Sequence, residues 1–353
     1  MQRTAAASMR KYTPVQLAFW PDERRAIANE LARCALFRCG STRKPRQQFD
    51  NHSLFVLGSG KVTYTGEELR SLDEDLFMAL AHAARRMSVD CLTVKLSNAQ
   101  ICKLTGRHQS QVYYNEIFRS IQRMRGGTIT VFSARLTKAL ACEKAREEGA
   151  APEVLYRLFA ELAEFERREA LKLLTPNDKI TGVMMSLIEG DPVFTNVGTI
   201  VDNIPQGNLQ WEIMLNKKLV MLFAEAYLTH IDFEARKELS PGARRLQSYF
   251  SSHRNPNDVL VSSLAQYVGL ELSSREEVRT IQRYLDELVK VGILETGVIV
   301  PAARKGSKLV QVTRPTTKND TQEGQNDPPA KSAELKTTHN ELKSNTLLLK
   351  MTP

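Results

Sequence analysis

From Ser240 to Leu288 the apolar positions recur at helical spacing in three blocks. Ala243, Leu246, Tyr249 and Phe250 form the stripe of one helix, with Ser240 as its cap and Pro241 at its first position. After a loop at His253–Asn257, the run Val259-Leu260-Val261 leads into a brief helix through Val268. Ser262 or Ser263 caps it and Gly269 closes it. A third helix starts at a capping box of Ser274 and Glu277 and gathers Val278, Ile281, Leu285 and Leu288 on one face. Gly292–Thr296 and Leu309–Val312 then read as strands around a loop holding Arg304, Lys305, Gly306 and Lys308.

The polar side of the third helix changes the picture. Arg275, Arg279 and Arg283 stand four residues apart, with Gln282 beside them. At about 100° per residue they span roughly 80° of arc. Guanidinium forks match both guanine edges and phosphates. Alone, the row reads better as a solvated basic face, partly neutralised by Glu276, Glu277 and Asp286. Its neighbours decide. Helix, short helix, arginine helix and basic-tipped hairpin is the order of a winged helix-turn-helix, in which the second helix of the pair enters the major groove. DNA binding is therefore the leading expectation.

The same order recurs upstream. Leu54–Leu57 and Lys61–Tyr64 read as a hairpin, and Thr65 with Glu68 as the capping box of a long helix bearing Leu69, Leu72, Leu76, Phe77, Leu80 and Ala84. Leu92–Leu96 alternates as a strand, and Ser97 with Gln100 caps a short helix that Gly106 ends. The following helix, from Gln109 to Met124, repeats Gln111, Asn115 and Arg119 at four-residue spacing, with Gln122 and Arg123 beside them and Arg107 just before. These side chains contact adenine, guanine and phosphate, and are also ordinary surface residues. Thr128–Phe132 should be the next strand, with returning strands at Gly182–Glu189, Gly198–Val201 and Leu209–Leu215. The expected fold class is α+β with tandem winged-helix domains. An arm covers 1–50, the first domain 51–235 with a helical insertion at 136–174, the second domain 236–312, and a disordered tail 313–353.

The formal net charge of +9 and a pI near 9.3 suit a polyanionic partner. Five cysteines (Cys34, Cys39, Cys91, Cys102, Cys142) are odd in number and lack zinc-ligand spacing, which points to free thiols in a reducing cytoplasm. No metal or cofactor is expected, and no run approaches a membrane span or a signal core. Catalysis is not expected either. Gly58-Ser59-Gly60-Lys61 lacks the Ser or Thr and the first glycine of a phosphate loop, and no two histidines flank a single residue as in a metal-dependent nickase. Asp73-Glu74-Asp75 lies early in a capped helix, where acids favour the dipole.

The chain resembles the TrfA-type replication initiators of broad-host-range plasmids. The resemblance rests on Phe19-Trp20-Pro21-Asp22, Ala35-Leu36-Phe37, Leu54-Phe55, Tyr64-Thr65-Gly66-Glu67-Glu68-Leu69-Arg70 with Asp73-Glu74-Asp75 after it, Tyr113-Tyr114, and the block from Leu239-Ser240-Pro241-Gly242-Ala243-Arg244-Arg245 through Arg254. It covers roughly 14–135 and 181–312; the 136–174 insertion and the tail depart from it. It implies binding to iteron repeats of double-stranded plasmid origin DNA, opening of adjacent AT-rich DNA, and recruitment of host proteins (sliding clamp, initiator, helicase). The free protein would be a homodimer and the DNA-bound form a monomer, acting in the bacterial cytoplasm. Carried over, Arg275, Arg279, Gln282 and Arg283 read the iteron, and Arg107, Gln111, Asn115 and Arg119 add contacts. Gln16, Leu17, Phe19 and Trp20 resemble a peptide that docks on the sliding clamp; the alternative is that Phe19 and Trp20 pack on the first domain. A transcriptional regulator or partition protein built on the same two domains is the competing expectation.

Overall fold

The computed structural model describes residues 20–40, 44–58, 61–85, 87, 92–132, 183–216, 228–253, 255–303 and 306–315. The 136–174 insertion, the tail from 316, and Gln16, Leu17, Phe19, Arg304 and Lys305 lie outside these residues.

Two stretches fold with one topology. Upstream the order is α2 (Ser71–Ala84), β6 (Thr93–Ser97), α3 (Asn98–Thr105), α4 (Gln111–Gly126), β9 (Ile188–Thr195) and β12 (Gln210–Leu215), with sheet order β6-β12-β9. Downstream it is α6 (Pro241–Ser251), β14 (Val259–Leu260), α7 (Val261–Val268), α8 (Ser274–Lys290), β15 (Thr296–Pro301) and β16 (Lys308–Thr313), with order β14-β16-β15. All four strand pairings are antiparallel. Each short second helix ends on a glycine in the left-handed region, Gly106 at φ 67° and Gly269 at φ 83°, which lets the chain turn sharply into the next helix.

Local chemistry sets the ends. The Ser97/Gln100 box caps α3 as expected, the Ser97 N–H donating to Gln100 at 2.7 Å. The box of α8 is one residue earlier than expected. Ser273 donates from its N–H and its hydroxyl to Glu276, at 3.2 and 2.7 Å. α2 starts at Ser71, where the N–H of Arg70 donates to Asp73 at 2.7 Å, so Thr65 and Glu68 do not cap it; Lys61–Glu67 is strand β4. Among the other boundary corrections, α4 begins at Gln111 behind Ser110, and α7 has no side-chain cap from Ser262 or Ser263. β15 begins only at Thr296, because Val291 and Gly292 turn the chain after α8.

Further strands wrap the upstream half. β3 (Gln48–Leu54), β4, β7 (Thr128–Phe132) and β8 (Val183–Met185) form a four-stranded sheet. Part of the expected 1–50 amino-terminal arm is folded into the body. β1 (Arg24–Ala28) pairs with β13 (Leu228–Asp232), and α1 (Asn29–Arg33) follows, with Ala26, Ile27, Ala28, Leu31 and Ala32 fully buried. Five small or aliphatic residues this close together have no stable place in water. Trp20 is also core, 1% exposed, its indole N–H donating to His82 Nδ1 at 3.0 Å.

The described residues belong to one body holding two apolar clusters. One runs from Trp20 to Ile231; the other is built on α6, α7 and α8, with Leu57 reaching in from upstream. In the second, a Cβ on Gly242 would lie 2.2 Å from the Tyr284 ring, so glycine lets α6 and α8 cross closely. Among the described residues no helix is long and apolar enough to cross a membrane, and no group of three or more His, Cys, Asp or Glu is placed to hold a metal.

Candidate nucleic-acid interface

α8 separates its two faces as the periodicity predicts. Ile281, Tyr284, Leu285 and Leu288 are buried and Val278 is half-buried, while Arg275, Arg279 and Arg283 are exposed. Arg275 and Arg279 make no ion pair or hydrogen bond among the described residues. The guanidinium of Arg283 is held against Tyr284: its carbon sits 5.2 Å from the ring centre, and the side chain also hydrogen-bonds with the Tyr284 hydroxyl. Gln282, expected to read bases, is occupied: its amide donates to Asp286 at 2.9 Å and to the Gly297 carbonyl on β15 at 3.1 Å. It ties the helix to the hairpin. Lys308, at the start of β16, is exposed.

The corresponding upstream helix presents a different surface. Gln111 is exposed, but its amide oxygen accepts from the Gly207 N–H at 3.1 Å and its nitrogen donates to Asn115 at 2.8 Å. Arg119 is exposed and lies 3.5 Å from Glu116. Arg107 is half-buried and pairs with Asp75 at 3.4 Å. Arg123 is a correction. At 7% exposure it donates to Asp73 at 3.0 and 3.1 Å, and its charge faces the interior rather than a phosphate. Arg123 continues the Gln111-Asn115-Arg119 row, but a drift of about 40° per four-residue step carries it roughly 120° round the helix from Gln111, to the side of α2. Trp20 is likewise withdrawn from the clamp-like peptide by its burial.

Pattern reading missed the role of Asp73-Glu74-Asp75. A helix dipole accounts for solvated acids, yet these three are 0%, 0% and 7% exposed. Asp73 takes Arg46 at 2.8 Å and Arg123; Glu74 takes Arg236 at 2.9 Å and Arg245; Asp75 takes Arg236 at 2.7 Å and Arg244 at 2.6 Å. Burial alone would raise the pKa of Asp75, but Arg236 and Arg244 outweigh it and hold the carboxyl below its usual range. Burial likewise opposes the charge on Arg236, and Asp75 and Glu74 more than restore it. The available signal was three adjacent acids between Leu72 and the core residues Leu76 and Phe77, an arrangement that calls for buried cations.

Comparisons with known proteins agree with this architecture. The family model described as TrfA protein matches residues 7–145 and 204–301. The plasmid replication initiator protein TrfA of Escherichia coli is 23% identical over 283 residues, covering 79% of this chain and 60% of that protein, so the chain spans well under two thirds of its relative's length. Domains 2 and 3 of RctB, a solved structure, share the fold at a TM-score of 0.51 and 13% identity, over 81% of this chain and 98% of that one. The Pi initiator protein, solved in complex with iteron DNA, overlaps more loosely, at a TM-score of 0.38 and 10% identity over 69% and 94% of the two chains. With the family model matching most of the chain, including the helices of both copies of the repeated topology, the chain belongs to the TrfA protein family.

Proposed function

We propose that this chain is a plasmid replication initiator whose two repeated units are winged-helix domains that bind iteron repeats in double-stranded origin DNA. One observation carries the reading. α8 holds a row of three exposed arginines, two of them without an ion pair or hydrogen bond among the described residues, on the helix that such a domain inserts into the major groove, beside a hairpin that begins a strand with Lys308. Exposed guanidiniums on a packed helix suit guanine edges, and the hairpin suits the backbone. On this reading the protein opens adjacent AT-rich DNA and recruits host replication proteins, with no catalytic step of its own. Family membership and the initiator named among its relatives support this role over that of a regulator or partition protein.

The test is a footprint of the protein on the plasmid region flanking its own gene, with permanganate to reveal unpaired thymines. Regular protection over direct repeats, with reactive thymines nearby, is expected. Arg279→Ala should weaken binding to the protected repeat by roughly 5- to 150-fold and spare random DNA. Equal losses on both would remove Arg279 as a base reader, and no protection anywhere would return α8 to a solvated basic face.

A further inference from the structure

Beside the apolar contact made by Cys39, Phe55 and Leu57 on the downstream cluster, the two halves meet across a polar junction. Glu74 and Asp75 project from α2 of the upstream half. Arg244 and Arg245 come from α6 of the downstream half, and Arg236 from α5 (Phe233–Lys237) just before it. Arg236 spans both acids, its Nη2 donating to Glu74 at 2.9 Å and its Nε to Asp75 at 2.7 Å. Arg244 donates to the other oxygen of Asp75 at 2.6 Å, and Arg245 and Ser248 donate to the remaining oxygen of Glu74. All four carboxylate oxygens are engaged by the downstream half. Arg236 and Arg245 are 2% and 0% exposed. Arg245 also donates to the Cys34 carbonyl at 2.8 Å, beyond α1, which adds a second upstream anchor.

A buried ion network stabilises less than well-packed apolar groups of the same size, so stability alone is a weak reason for this chemistry. Direction is the better reason. An apolar face can slide by an ångström at little cost, whereas guanidinium forks on carboxylates fix both distance and angle. We propose that Glu74 and Asp75, held by Arg236, Arg244 and Arg245, are positioning residues that set the separation of the two winged-helix units and thereby the spacing of the DNA segments they contact. The inference rests on the DNA-binding reading above. It assigns to the Leu239–Arg245 block a role in geometry rather than in touching DNA.

Two measurements on the full chain test it. In the first, encoded spin-labelled residues replace the exposed Lys103 and Lys290, and the label separation is measured without DNA. A narrow distribution is expected for the parent and a broadened one for Asp75→Asn and Glu74→Gln. Arg244→Lys keeps the charge and loses the fork. It is the milder variant should the neutralised ones fail to fold, and it should also broaden. Narrow distributions in every folded variant would overturn the lock. The second measurement uses duplexes with one base pair inserted between the two contact zones, which turns one zone by roughly 34° and moves it roughly 3.4 Å. The parent should lose roughly 100-fold in affinity. Arg244→Lys should lose at most about a tenth of that factor while binding the downstream zone alone as the parent does. A merely stabilising network would leave the spacing penalty unchanged, and that result would refute the proposal. If the parent binds no DNA specifically, the DNA reading fails, and the label distances still decide whether the network holds the two halves.

Discussion

His82 gives the structure a titratable weak point, and its size can be worked out. It lies on α2 at 3% exposure, with Nδ1 accepting from the Trp20 indole and Nε2 3.5 Å from Asp22. Burial first, then the charges of Arg25 and Arg85, push its pKa from 6.5 down to about 4; Asp22 offsets only part of this. The folded value lies below the unfolded one, so between these limits the unfolded chain binds the extra proton. The stability carried by neutral His82 is complete above pH 6.5 and is lost as the pH falls toward 4. A drop of that size, at about 1.4 kcal/mol per pH unit, amounts to about 3 kcal/mol, of which about 2.5 kcal/mol is gone by pH 4.5. The structural cause is direct: a protonated Nδ1 would point a donor at the indole donor. Urea unfolding of the parent and of His82→Gln at pH 7.0, 5.5 and 4.5 measures the difference. Asp75 does not confuse the result, because its carboxyl, depressed from 3.8, loses its contribution only at lower pH. If parent and variant lose stability in parallel between pH 7.0 and 4.5, His82 is not held neutral and the reasoning fails.

Arg123→Ala should destabilise the fold by about 3 kcal/mol, since it strips a buried partner from Asp73, and differential scanning calorimetry would show the lowered Tm. An unchanged Tm with weakened DNA binding would instead restore Arg123 to the interface. Gly242→Ala should cost about 1–3 kcal/mol in chemical unfolding, because its Cβ would enter the Tyr284 ring; a neutral effect would show that α6 and α8 separate freely. Lys308→Ala should lower the slope of log affinity against log salt by roughly one unit and leave sequence preference alone, with the same outcome for Lys305→Ala. A changed preference would make either lysine a base reader.

Much of the architecture was legible because it depends on local chemistry. The stripe of Ile281, Leu285 and Leu288 opposite Arg275, Arg279 and Arg283, the Ser97/Gln100 box, and the turns at Gly106 and Gly269 all follow from residues within a few positions of one another. The repetition of helix, strand, helix, helix was readable for the same reason. The box that slipped by one residue, Ser274 for Ser273, is a case where neighbouring side chains offer competing caps that sequence alone does not rank, whereas Thr65 fails as a cap because it lies in strand β4.

The fate of each charge was not legible, because it depends on residues far away in the chain. Arg123 and Arg279 sit on equivalent helices with similar spacing, yet one faces Asp73 and the other faces solvent. Gln111 and Gln282 look free in one dimension and are bound to Gly207 and Gly297 in three. Glu74 meets Arg245 across 171 residues. Helix periodicity states that a side chain lies on a given face. Only the packed structure states what that face meets, and the high cost of an unpaired buried charge then determines which arginines are structural and which remain in solvent.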